Sequence, residues 1–172
     1  MPWLSGKVLR AYQNGQIKYE LDYVFHVTEI MMDNNINLGK QEEGKLKKIP
    51  QNEWNQSMRG YFAGCIYNAM IDNSEIFLVV GDLGYKVWDQ HFRDFPERCI
   101  NVGAAEQAMM GVAVGLALED KIPIVYSIST FLLYRPFETI RNYVNYEKIP
   151  VKMVGSGRDK DYAHDGISHW PM

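Results

Sequence analysis

From Ser57 onward the chain alternates between short, nearly uncharged runs and longer segments with apolar residues at helical spacing, and this alternation limits the possible folds more than any other feature. The short runs are EIFLVVGDL, RCINVG, IPIVYSIS and IPVKMVGSG. Between them lie SMRGYFAGCIYNAMID, with Ser57 placed to cap its first turn, GAAEQAMMGVAVGLALED, and RPFETIRNYVNYEK, with Pro136 near its first turn. Strands that are apolar throughout, rather than at every second residue, are buried on both faces. With helices before and after them, they predict an α/β fold: a parallel β-sheet flanked by helices on both faces. A chain of 172 residues with 47% hydrophobic side chains has enough apolar material to fill such a core.

Residues 1–56 read differently, as an irregular N-terminal extension or linker of unassigned role. ELDYVFHVTEIMMDN is a candidate helix whose apolar residues only roughly share a face, and NLGKQEEGKLKKIPQNEW reads as solvated chain. The expected division is therefore 1–56 and 57–172. A net charge of −3 gives no electrostatic reason to expect a nucleic-acid or membrane-surface partner. The apolar run AMMGVAVGLAL is too short to span a bilayer, and no basic segment followed by an apolar one opens the chain. Cys65 and Cys99 lie in apolar segments without metal-ligand spacing and are expected to be buried thiols in a reducing compartment, which points to the cytoplasm.

In an open parallel sheet, ligands collect beyond the carboxyl ends of the strands. Asp82, the turn from Gly103 to Glu106, Ser129 to Tyr134, and the loop GSGRDKDYAHDGISH all fall there. Glu106 stands out as one carboxylate among small and apolar residues. With Gly103 as N-cap it would be a third-position glutamate stabilised by backbone amides and the helix dipole. Ala104, Ala105, Ala108, Gly111, Ala113 and Gly115 promise a closely packed helix on which a carboxylate is easily desolvated, and a desolvated carboxyl suits proton exchange with a ligand. Phe131, Tyr134 and Phe137, at i, i+3 and i+6, nearly share one helical face, a spacing that serves core packing as well as a ligand box. Asp82 reads equally as a strand-end aspartate. His169 sits in a loop, whereas His26 and His91 carry no pattern of their own.

Four blocks, GDLG, RCINVGAAEQAMMGVAVGLAL, IPIVYSISTFLLYRPFETIRNYV and IPVKMVGSGRDKDYAHDGISH, resemble in order and spacing the pyrimidine-binding domain of the transketolase family of thiamine diphosphate enzymes. The resemblance covers about residues 58–172. It implies that Glu106 hydrogen-bonds a ring nitrogen of the cofactor's aminopyrimidine and favours its imino tautomer, which takes the proton from the thiazolium carbon. It implies an aromatic pocket for the pyrimidine at Phe131, Tyr134 and Phe137, with Pro136 interrupting the motif, and a cofactor-adjacent position for Asp82. His169, with Asp165 and Gly166 in register, resembles the histidine of a loop that reaches the substrate near the reacting carbon, so Glu106 and His169 are the implied catalytic pair. His164 replaces an acidic residue usual there, and Arg135 with the loop from Gly155 to His169 would decide which substrate anion fits.

The family holds magnesium and the diphosphate with a GDG motif on a separate domain, and this chain has no GDG. No metal ligands are therefore expected on it: Mg2+ and the diphosphate would be held by a partner domain or subunit, in a homo- or hetero-oligomer. The chain ends soon after ISH, where family members continue, which is expected of one component or fragment of a split enzyme, inactive without its partner. The implied activity is transfer of a two-carbon ketol unit between sugar phosphates. A component like the β subunit of oxo-acid dehydrogenases, a deoxyxylulose phosphate synthase-like enzyme, and a non-catalytic interaction domain are the alternatives. A dinucleotide-binding domain is disfavoured because GSGRDKDYAHDG lacks the third glycine spacing.

Overall fold

Strand β3, Ile76–Val80, is the axis on which the larger part of the molecule is built. In this computed structural model, which describes residues 10–13, 16–19, 46–157 and 161–169, β3 pairs in parallel with β4, Cys99–Asn101, on one side and with β5, Ile122–Ile128, on the other. Strand β6, Lys152–Ser156, adds to the far side of β5, so the order is β4-β3-β5-β6, all parallel. The register runs Leu78 to Cys99 and Ile124, and Val80 to Asn101 and Tyr126.

Because side chains alternate across a strand, successive residues of β3 feed two separate cores. Ile76, Leu78 and Val80, with Ile124 and Tyr126, pack under helix α1, Met58–Asp72, through Ala63, Tyr67 and Met70, and under the short helix α2, Asp89–Asp94, which Trp88 and Phe95 flank. Val79 and Val125 face the opposite way, onto Met109, Met110 and Ala113 of α3, Glu106–Leu118, and Leu132 of α4, Ser129–Tyr134. Both faces are thus covered, as the uninterrupted apolar runs predicted. Ser57 caps α1, its Oγ accepting from the Gly60 amide at 3.1 Å. The segment before α1 is fastened to it by the Asn68 side chain, which accepts from the Ile49 amide at 2.8 Å and donates to the Ile49 carbonyl at 2.9 Å.

Three elements differ from the sequence expectation. The helix expected over residues 135–148 begins earlier and is broken. Strand β5 passes directly into α4 at Ser129, Pro136 (φ −94°, ψ 26°) interrupts after Arg135, and α5, Phe137–Thr139, continues into a widened π-helical stretch, Ile140–Tyr146. There the Glu147 amide reaches the Asn142 carbonyl, five residues back. Helix α2 was not expected; six residues carry too little periodicity to be seen. Residues 1–39 and residues 40–172 divide into two compact units. Within the first, the expected irregular extension contains an antiparallel hairpin, β1 Arg10–Gln13 with β2 Gln16–Tyr19. The two residues between its strands are Asn14 and Gly15, a pair favoured in such connections. The candidate helix at residues 20–34 and His26 lie outside the described residues. Cys99 is buried, and burial pushes its thiol up to about 12; Cys65 is half-buried, and neither forms a disulfide.

Candidate functional site

Chain connectivity makes the carboxyl ends of β3 and β5 a switch point. From β3 the chain moves outward to β4, then crosses back to β5 and continues the other way to β6. Glu106 sits there. A Cβ placed on Gly81, the residue after β3, would lie 3.7 Å from Glu106 Cγ. Gly103 is not the N-cap, as had been expected. The chain turns tightly there, with Gly103 at φ 72° and the Ala105 amide on the Gly103 carbonyl at 2.7 Å. Ala105 is therefore the N-cap and Glu106 the first helical residue. The small residues expected to bury the carboxylate also divide: Ala113 and Gly115 are buried, whereas Ala104, Ala105, Ala108 and Gly111 face outward. Nevertheless Glu106 is 2% exposed.

The partner of Glu106 is Arg135, whose Nη1 donates to Oε2 at 2.7 Å. The other oxygen, Oε1, is buried with no hydrogen-bond partner. Arg135 follows the last residue of α4, four positions after Phe131. Its guanidinium lies over the Phe131 ring, 3.9 Å from the centroid, a cation–π contact that also buries the ring's face. On Phe131 lies the His169 ring as well, with centroids 4.8 Å apart in an edge arrangement. One continuous set of contacts therefore runs from Glu106 through Arg135 and Phe131 to His169.

The loop that carries His169 is held by glycines and hydroxyls. Ser129 Oγ donates toward the carbonyls of Ser156 and Gly157 at 3.0 and 2.9 Å. A Cβ on Gly155 would come within 2.6 Å of that same Oγ, so β6 approaches α4 too closely for a side chain there. Gly157, at φ 79°, leaves room for the Tyr162 ring. Tyr162 stands within hydrogen-bonding distance of Ser156 Oγ at 3.3 Å and accepts from Arg59 Nη1 at 3.2 Å. Ser168 Oγ meets His169 Nδ1 at 2.9 Å.

Asp82 is exposed, at φ 58°. Its amide and that of Gly103 both donate to Asn101 Oδ1, at 2.9 and 3.0 Å, and Asn101 Nδ2 donates to Asp82 Oδ1 at 3.3 Å. Asp82 thereby shapes the turn leading to Glu106 rather than touching Glu106 itself. Tyr134 and Phe137 are 50% and 61% exposed, separated by the break at Pro136; among the described residues the ring packed on Phe131 is that of His169. Nothing in the sequence marks Arg135 as the partner of Glu106 or Asn101 as the clamp between two loops, because both pairings join residues distant along the chain. Among the described residues no group of three or more His, Cys, Asp or Glu side chains stands ready to share a metal ion. Nor is any helix among them long and apolar enough to cross a membrane.

A buried carboxylate at the switch point of a doubly covered parallel sheet, joined through Arg135 to an aromatic ring, marks the candidate site of an α/β protein. Comparison with known proteins narrows this class. The chain belongs to the transketolase pyrimidine-binding domain family, described as "Transketolase, pyrimidine binding domain", whose pattern matches residues 55–172. It is 46% identical over 77 residues to a putative transketolase C-terminal section of Methanocaldococcus jannaschii, covering 45% of this chain and 24% of that protein. To one subunit of an apulose-4-phosphate transketolase from Actinobacillus succinogenes it is 35% identical over 77 residues, covering 45% of this chain and 25% of that protein. A solved split-gene transketolase, an inactive β4 tetramer, aligns with TM-score 0.50 and 36% identity over 55% of this chain and 32% of that one. The chain thus spans about a quarter to a third of the length of these relatives.

Proposed function

We propose that this chain supplies the aminopyrimidine-binding half of a thiamine diphosphate site in a transketolase-type transferase that moves a two-carbon ketol unit between sugar phosphates. A diphosphate-binding partner, on another chain or domain, would hold the diphosphate and its magnesium ion and complete the site within an oligomer. The observation that carries the reading is Glu106: 2% exposed, at the switch point, with Oε1 buried and unpartnered. Such an oxygen costs stability unless a hydrogen bond satisfies it. A protonated ring nitrogen at the edge of a planar heterocycle is a donor of the right kind, and Phe131, linked to Glu106 through Arg135, offers a flat apolar face for the same ring.

When bound, the cofactor supplies an electron sink that allows a carbon–carbon bond next to a carbonyl to break and form. Glu106 holds the ring's edge and the proton shared with it. Phe131 fixes the plane of the ring and excludes water from that side. His169, tied through Nδ1 to Ser168, presents Nε2 to a substrate hydroxyl or carbonyl oxygen, where an imidazole can take or return a proton near neutral pH. Tyr134, Phe137 and Asp82 stand on the rim, where a partner chain can close over them. Free thiols such as Cys65 and Cys99 fit a reducing, cytoplasmic setting.

Calorimetric titration with thiamine diphosphate and magnesium tests the reading. Saturable binding and ketol transfer are expected when a diphosphate-binding partner is added; neither appearing with such a partner would overturn it. Phe131 itself gives a second check. The ring is half-buried, so Phe131→Ala should lower the melting temperature by only a few degrees while weakening cofactor affinity about tenfold, the order expected when one aromatic stacking contact is lost. A large loss of stability with unchanged affinity would make Phe131 a packing residue only.

A further inference from the structure

We infer that Arg135 is an internal competitor for the pyrimidine site, a positioning residue that must leave Glu106 and Phe131 before a heterocycle can settle there. The inference rests on the function proposed above and goes beyond it by assigning a role to a side chain at the same site. Its basis is a coincidence of contacts. Arg135 Nη1 donates to Glu106 Oε2 at 2.7 Å while the guanidinium carbon stands 3.9 Å from the centre of the Phe131 ring. A ring stacked on Phe131 with its edge on Glu106 needs that same face and that same carboxyl group. A guanidinium is planar, delocalised and edged with donors, and so satisfies both at once.

The competition extends from space to charge. A carboxylate paired with a guanidinium accepts hydrogen bonds and donates none. A ring nitrogen that carries a proton donates to the carboxylate, so the ring and the guanidinium compete for the same acceptor. Arg135 has a way out. Its side chain is 47% exposed although Glu106 is 2% exposed, so the head group can swing into water without opening the core. It also hangs from the last turn of α4, just before the break at Pro136, where the chain beyond it is no longer part of the same helix.

A site whose competent form is only fractionally populated binds with an affinity reduced by that fraction, and removing the internal competitor restores it. The test uses the full chain and 4-amino-5-hydroxymethyl-2-methylpyrimidine as probe, titrated to millimolar concentration by NMR. Arg135→Gln should bind the probe about tenfold more tightly than the wild type. Arg135→Lys should fall between them, because an ammonium pairs with Glu106 but cannot lie flat on Phe131. Should Arg135→Gln fail to fold, the lysine variant, which keeps a cation beside the buried carboxylate, still gives the comparison. Equal or weaker binding by the Arg135 variants, with binding abolished by Glu106→Gln, would overturn the competitor role and leave the pyrimidine site standing. No binding by any form would overturn the pyrimidine site and the competitor together.

Discussion

Glu106→Gln is expected to lower ketol transfer, the activity proposed above for the partner-completed enzyme, by about 10²–10⁴-fold, the range for loss of a positioned proton-transfer group, while the chain stays folded. Glutamine keeps the shape of the side chain and its capacity to hydrogen-bond, but it cannot carry or release the proton. Stability is spared because Arg135, the cation left behind, is half exposed and can be hydrated, so no uncompensated charge is trapped. Glu106→Ala should be at least as inactive. Turnover by a coupled assay and melting by circular dichroism on the same preparations check both halves of the prediction. A glutamine variant with wild-type turnover would remove Glu106 from the chemistry.

Below neutral pH the chain loses about 2 kcal/mol of stability between pH 7 and pH 4.5 through one buried residue of α2, His91. His91 is 2% exposed, between the rings of Tyr67 and Trp88 at 5.4 and 4.9 Å. Burial lowers its pKa from 6.5 to about 4, against the opposing pull of the Ala63 carbonyl and Asp94. The cause is legible in the contacts. One ring nitrogen meets the Ala63 carbonyl at 3.0 Å and the other, Nδ1, is buried without a partner, so a second proton would have no acceptor. The folded state therefore keeps the imidazole neutral while the unfolded chain takes up a proton below pH 6.5. Stability is complete above that pH, falls as pH drops toward about 4, and loses nothing more from this group below it. Urea unfolding at pH 7 and pH 4.5 measures the effect, and His91→Gln should flatten it. An equal loss in the variant would assign the acid sensitivity to other groups.

The strands were legible because a parallel sheet covered on both faces demands uninterrupted apolar runs, and each of the four runs became a strand. Glu106 was legible for the opposite reason: a charge among small residues breaks the pattern. The means of its burial was not legible. The small residues suggested close packing around it, yet four of the six face outward. The hydrogen-bond partner of Glu106 is Arg135, 29 positions away, and a contact between residues that follow two different strands leaves no trace in local periodicity. The direct passage of β5 into α4 was hidden as well, since no glycine, proline or asparagine marks the change at Ser129. The Asn14-Gly15 pair was a local signal of the N-terminal hairpin, present in the sequence but outweighed by the irregular, polar residues around it.

The two walls of the site are mounted differently. Phe131 stands three residues past Ile128, on a helix that grows straight out of a central strand, so its ring is set by the sheet. Glu106 is reached only through a tight turn, and that turn is pinned by a single amide side chain, Asn101, whose oxygen gathers the Asp82 and Gly103 amides. The placement of the carboxylate is therefore governed at a distance, by an asparagine at the tip of a three-residue strand.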